Sequence, residues 1–241
     1  MCRRVVTVDR AEVMRIAEEI VADLAGHEYE LGALDPIESW RPYLSRPAGT
    51  EGAAGVAEAK ASGGASVAGA SPAHAAEAFP SSVAAVIAPT GRGAQLAVAD
   101  MVWGFDAPWK AGPVFNARIE TALGDPDGMW GDALRHRRCV VPAQAFFESH
   151  AAETVPSERT GRPVKRQYAF SGADGAPLLM AGLHERGRFS LVTTKPNGAV
   201  DPVHDRMPLV LSPAEAALWL AGRFEGLADR SAVLLQAAPE R

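Results

Sequence analysis

The sequence predicts an α+β fold: a mainly antiparallel, partly closed β-sheet with a few flanking helices. Three observations lead there. Short runs of aliphatic and β-branched residues recur from residue 83 onward. Gly and Pro interrupt them at intervals too short for crossover helices, so a repeated β-α-β array is not indicated. Only two segments combine an apolar stripe of helical period with clear end signals.

The first of those segments covers about Ala11 to Ala25, where Val13, Ile16, Ile20 and Leu24 recur on one face. Asp9 and Glu12 have capping-box spacing, and Gly26 suits the end. From Ala48 to Ala78 the composition shifts to Ala, Gly and Ser without a tyrosine, tryptophan or phenylalanine until the boundary, which predicts a mobile, low-complexity insertion in a single domain spanning 1–241. Strands are expected at Val83–Ile87, Gln95–Ala99, Met101–Phe105, Arg138–Val141, Leu178–Gly182, Phe189–Thr194, Leu209–Leu211 and near Ala232–Leu235. The polar stretch Glu153–Arg166 reads as a hairpin loop. A second helix is signalled by Ser212 as N-cap, Pro213 in the first turn, Glu215 completing the box and Gly222 as the stop.

At 241 residues the chain can bury a substantial core. It lacks a run of roughly 18 apolar residues, and Met-Cys-Arg-Arg is no signal peptide, so a cytoplasmic monomer is expected. Its net charge of −5 argues against nonspecific coating of nucleic acid but permits a local basic groove. The cluster Arg135, Arg137 and Arg138 fits either such a groove or scattered surface ion pairs. Cys2 and Cys139 read as free thiols, and no metal or cofactor is expected.

Cys2 carries the most suggestive chemistry. Removal of Met1 would leave an α-amine and a thiol on one residue, a pair that captures aldehydes by imine formation and then thiazolidine closure. Arg3 and Arg4 beside it would favour thiolate and could hold phosphate. Trp103 in Met-Val-Trp-Gly-Phe is either core or a base-stacking platform. Asn116 and Arg118, two apart, face the same way if extended, and read as a loop-organising Asn with a solvated Arg or as a grip on phosphate and amine. Glu148 follows Phe146 and Phe147, so it is either an exposed strand end or a desolvated proton-transfer acid. His204 sits in a polar turn, structural or titrating.

In this order, Met-Cys with Arg4, Trp-Gly, Asn-Ala-Arg-Ile-Glu-Thr, Arg-Arg-Cys-Val-Val-Pro-Ala-Gln-Ala-Phe-Phe-Glu, the Thr193-Thr194 pair and His-Asp-Arg-Met-Pro resemble the SRAP family, the SOS response-associated peptidases or abasic-site processing proteins. The resemblance implies an SRAP-like domain that crosslinks an abasic site in single-stranded DNA through a thiazolidine on Cys2. It implies Asn116, Glu148 and His204 as further catalytic residues: Asn116 positions the reacting centre, Glu148 moves protons and His204 supports ring opening or reversal. It also implies DNA contacts by Arg4, Trp103, Arg118, Thr193 and Arg206. Three departures stand out: Arg3 replaces the family's glycine, Ser149-His150 follow the acid in place of an aromatic, and the Ala-rich insertion is unusual for the family. Competing readings are an N-terminal nucleophile hydrolase of glutaminase or peptidase type, a noncatalytic single-stranded DNA binder, and a peptidase whose activity is removal of its own Met1.

Overall fold

A computed structural model describes residues 2–27, 29, 31, 76–90 and 95–240. The order is β1 (Arg4–Thr7), α1 (Arg10–Gly26), β2 (Glu77–Ala78), β3 (Val83–Pro89), β4 (Leu96–Trp103), β5 (Asn116–Arg118), α2 (Ile119–Gly124), α3 (Gly131–His136), β6 (Arg138–Pro156), β7 (Pro163–Gly172), β8 (Leu178–Glu185), β9 (Arg188–Thr194), β10 (Met207–Pro208), β11 (Val210–Leu211), α4 (Pro213–Leu220) and β12 (Leu235–Pro239). Most of the expected insertion lies outside the described residues; its last two, Glu77 and Ala78, form β2 against β1.

The strands pair into one sheet that curls into a circuit, β6–β8–β9–β4–β3 and back to β6. Closure is uneven, since β3 meets β6 at the single position Ile87↔Val140. All pairings are antiparallel except β4 and β5 against β9.

Period-two alternation divides the core. Ala84, Val86, Met101, Trp103, Cys139, Val141, Met180, Phe189 and Leu191 fill one side, while their chain neighbours Ile87, Val140, Leu179, Ala181 and Val192 meet the helices on the other. Helix α1 contributes Val13, Ile16, Ile20 and Leu24 to the helical layer. Each such side chain favours folding by about 1.5–3 kcal/mol on burial. Asp9 accepts from the Glu12 amide as N-cap, and α4 carries the full Ser212/Glu215 capping box.

Several boundaries differ from expectation. Gln95–Ala99 and Met101–Phe105 are one strand, β4, because the interrupting Asp100 is paired with Arg10 at 2.9 Å. Arg138–Val141 is the start of a 19-residue strand. The last strand begins at Leu235, three residues later than read. Among the described residues no helix is long and apolar enough to cross a membrane.

Candidate active site

Strand pairing brings the distant motifs together. In the β1–β6 ladder Arg4 faces Phe147, so Cys2, just before β1, runs alongside the point where Glu148 follows Phe147. Gly104 turns out of β4 at φ +114°, where a Cβ would lie 2.5 Å from Pro113 Cβ. That close approach, with Trp103 Nε1 donating to Phe115 O at 2.9 Å, lays the chain down so that β5 joins β9 and carries Asn116 to the same end. Strand β10 faces Thr193 and Thr194, delivering the preceding turn with His204 and Arg206. Ala151 N donates to Val203 O at 2.9 Å and holds that turn against β6.

Four of the expected residues converge. Asn116 Nδ2 donates to the Cys2 carbonyl at 2.8 Å, while its Oδ1 is buried with no hydrogen-bond partner among the described residues. Cys2 is fully buried with Sγ 3.6 Å from Arg4 O. Glu148 is 2% exposed, and its Oε2 lies 3.7 Å from His204 Nε2. His204 Nδ1 lies 3.0 Å from the Arg206 amide, 3.1 Å from Arg206 O and 3.1 Å from Asp205 Oδ1, which fixes the ring with its Nε2 toward Glu148.

Burial sets the protonation states. It pushes the Glu148 carboxyl up to about 7 and the His204 imidazole down. Burial, aided by the negative charge of Glu148, pushes the Cys2 thiol up. Near neutrality the thiol is protonated, the imidazole neutral and the carboxyl divided between its two forms. A group so divided can give or take a proton at little cost, as general acid–base chemistry requires.

The expected DNA contacts fare differently. Arg118 is exposed at the end of β5. Arg206 is 9% exposed: its Nη1 and Nη2 donate to the two carboxylate oxygens of Glu120 at 2.8 Å each, and Nη2 also reaches Thr193 O at 2.7 Å. Thr193 is fully buried, its hydroxyl donating to Ala117 O at 3.4 Å. Arg4 lies over the Phe147 ring at 3.6 Å and pairs with Glu77 and Glu240. Trp103 presents no face to a DNA path: it has no exposed surface and stacks within the core on Phe189, with Phe115 edge-on. The basic groove at 135–138 is also absent from the described surface, since Arg137 pairs with Asp132 and Glu185 and Arg138 turns inward. The clamp carboxylate Glu120 escaped the sequence reading although it lies in the Asn-Ala-Arg-Ile-Glu-Thr run. Its only signal was an acid two residues after Arg118. No group of three or more His, Cys, Asp or Glu side chains among the described residues is arranged to hold a metal ion.

The sequence profile of the SOS response associated peptidase (SRAP) family matches residues 50–241. The abasic site processing protein YedK of Escherichia coli is 33% identical over 134 residues, covering 52% of this chain and 55% of that one. The abasic site processing protein YoqW of Bacillus subtilis is 30% identical, covering 49% and 54%. The chain thus spans about half the length of the curated relatives it matches. A phage-related protein of Bordetella bronchiseptica shares the fold at a TM-score of 0.56, with 25% identity over 70% of this chain and 82% of that one. A protein of Bacteroides thetaiotaomicron does so at 0.55, with 18% identity over 100% and 92%.

Proposed function

The chain belongs to the SRAP family, and from that premise we propose that it processes abasic sites in single-stranded DNA by covalent capture on Cys2. The observation that carries the reading is the meeting of Asn116, Glu148 and His204 with Cys2, from four separate stretches of sequence.

After loss of Met1, the α-amine of Cys2 attacks the aldehyde of the ring-opened sugar. The C–N bond forms, the carbonyl oxygen takes two protons and leaves as water, and an imine remains. The thiol then adds across C=N: a C–S bond forms, the thiol proton passes to nitrogen, and a thiazolidine results. Because burial keeps the thiol protonated, it needs a base, and the Glu148 carboxylate, whose charge acts on the thiol, has a proton affinity that suits both steps. Asn116 fixes the Cys2 carbonyl and offers its Oδ1 as an acceptor for the amine or a sugar hydroxyl. His204 hands protons to and from Glu148 through Nε2, during ring opening and during reversal. Exposed Arg118 meets phosphate beside the lesion. Arg206 acts from behind, holding the His204 turn to Thr193 and Glu120.

Incubation with a single-stranded oligonucleotide bearing one abasic site, followed by denaturing electrophoresis and intact mass, tests the reading. The expected product is a shifted band whose mass is protein lacking Met1 plus oligonucleotide minus one water. Cys2→Ala and a form retaining Met1 should give none, whereas Cys139→Ala should match the wild type. An equal shift with Cys2→Ala would end the proposal.

A further inference from the structure

Beyond Glu148 the long strand β6 leaves the body of the protein. Up to Phe147 it is flanked by β1, and β7 from Tyr168 onward is flanked by β12. Between those points, residues 149–167, β6 and β7 pair only with each other and form a two-stranded ribbon. From Ala151 to Lys165 every residue is exposed except the half-buried Val155 and Ser157. The ribbon is nevertheless well defined: Thr154, Val155 and Pro156 face Lys165, Val164 and Pro163, and Ser157 N donates to Arg162 O at 2.9 Å across the turn.

Its root is bent toward the active site. The register shifts between Ser149 and Thr154, and His150 organises the resulting bulge by accepting from the Ala152 and Glu153 amides at 3.0 and 2.8 Å. The bulge is tied to the His204 turn through Ala151 N and Val203 O.

The chain is acidic overall, yet residues 153–166 hold Arg159, Arg162, Lys165 and Arg166 against Glu153 and Glu158. Arg166 is spent on Glu153, at 3.5 Å. Arg159 and Arg162 form no ion pair among the described residues. Lys165 donates to Ala151 O at 3.0 Å, on the residue whose amide ties the bulge to the His204 turn.

We propose that this ribbon is a docking arm for double-stranded DNA adjoining the reacting strand, with Lys165, Arg162 and Arg159 gripping successive phosphates. The inference builds on the DNA-directed reading of the same site. A two-stranded ribbon is one of the shapes the major groove admits. From Gln167 to Arg162 the arm extends about 16 Å, at about 3.3 Å per residue, or roughly five base-pair rises. A single strand would be held by stacking platforms, and residues 149–167 contain no Phe, Tyr or Trp. Cationic side chains on a projecting ribbon without such rings match the phosphates of a rigid duplex.

Undamaged DNA tests the arm independently of the covalent chemistry. Fluorescence anisotropy compares wild type with the R159A/R162A/K165A variant on two probes, a short single strand and the same strand joined to a duplex a few nucleotides away. The variant should bind the junction ~10-fold more weakly, with a salt dependence flatter by about 2.7 in log K against log salt, about 0.9 per lost phosphate contact. Its affinity for the plain single strand should stay within about twofold. R159E/R162E should deepen the junction defect. Unchanged junction binding, no junction binding by wild type, or equal loss on both probes would each overturn the proposal; the last would make the ribbon a single-strand contact. If the arm behaves as expected but wild type captures no abasic site, the covalent reading fails and the arm stands.

Discussion

The part of strand β6 that lies within the body carries two buried ionisable groups, Arg138 at its start and Glu148 where the strand leaves the body, about 33 Å further along at about 3.3 Å per residue. The two ends are built on opposite principles. Arg138 is 3% exposed and saturated: Nε donates to Trp219 O, Nη1 to Leu134 O and Arg135 O, and Nη2 to Leu220 O. Those carbonyls are in the last turns of α3 and α4, so a single cation satisfies the C-terminal ends of two helices at once. Gly222, at φ +79°, leaves room for it, since a Cβ there would lie 3.0 Å from Nη2. Burial lowers the Arg138 guanidinium to about 10, yet it stays charged at neutral pH. At the other end, Glu148 stands 3.7 Å from a neutral imidazole, and burial leaves its charge in balance near pH 7. Burial alone therefore does not mark a site. What separates the two ends is whether the buried group keeps its charge throughout the neutral range, as Arg138 does, or changes it there, as Glu148 does.

The largest effect expected from this contrast is at the saturated end. Arg138→Met keeps the stem but leaves the buried carbonyls of Leu134 and Leu220 and the part-buried one of Arg135 without this donor, at about 1–3 kcal/mol each before relaxation, while Trp219 O keeps the Gly222 amide. The expected loss is about 3–5 kcal/mol in chemical denaturation. Any protein that remains folded in the cold should still capture an abasic site at the normal rate. A variant that is stable but slow would place Arg138 in the chemistry and break the comparison.

The adjustable end should trade stability for rate. In the folded protein Glu148 holds its proton up to about 7, above the ordinary value of about 4.3, so its ionisation costs stability as pH rises between the two. Above pH 7 that cost reaches about 3 kcal/mol, and below about pH 4 it vanishes. Glu148→Gln should thus melt higher than wild type at pH 8 and equally at pH 4, while capture slows by about a hundredfold. A variant less stable at pH 8 would show the carboxylate to be structural.

The same contrast explains what sequence could and could not reveal. Helices α1 and α4 were legible because their stripes and caps are local, whereas β1 is only Arg-Val-Val-Thr and exists because β6 lies beside it. Beyond Val141, β6 was hidden by Pro142, a residue that weakens a strand reading. Asn116, Glu148 and His204 were legible as candidates because motif order carried them. Trp103 was not decidable, since a core and a stacking platform both call for an aromatic, and only burial between Phe189 and Phe115 separates them. Arg206 likewise reads as a phosphate ligand until Glu120, 86 positions away, is seen to hold it.

The smallest expected effect sharpens the contrast through two histidines, half-buried His204 and buried His184. His204 keeps a backbone partner and a carboxylate beside it. His184, on β8 next to the Arg138 end, is 1% exposed, and neither ring nitrogen has a hydrogen-bond partner among the described residues. Burial, then repulsion from Arg137 and Arg138, lowers it to about 3. Its folded value lies below the unfolded value of about 6.5, so the stability it allows is complete above that pH and is lost as pH falls from about 6.5 toward 3. At pH 5 the loss is about 2 kcal/mol. His184→Leu removes the proton-binding site and two unpaired nitrogens, so the variant should outlast wild type at pH 5 by that amount in urea titrations, with the gap shrinking toward pH 8. Capture at neutral pH should not change, because this histidine belongs to the saturated end of β6. Parallel acid profiles for the two proteins would mean that the ring finds a proton acceptor as it charges, and the division between spent and adjustable buried groups would then fail at His184.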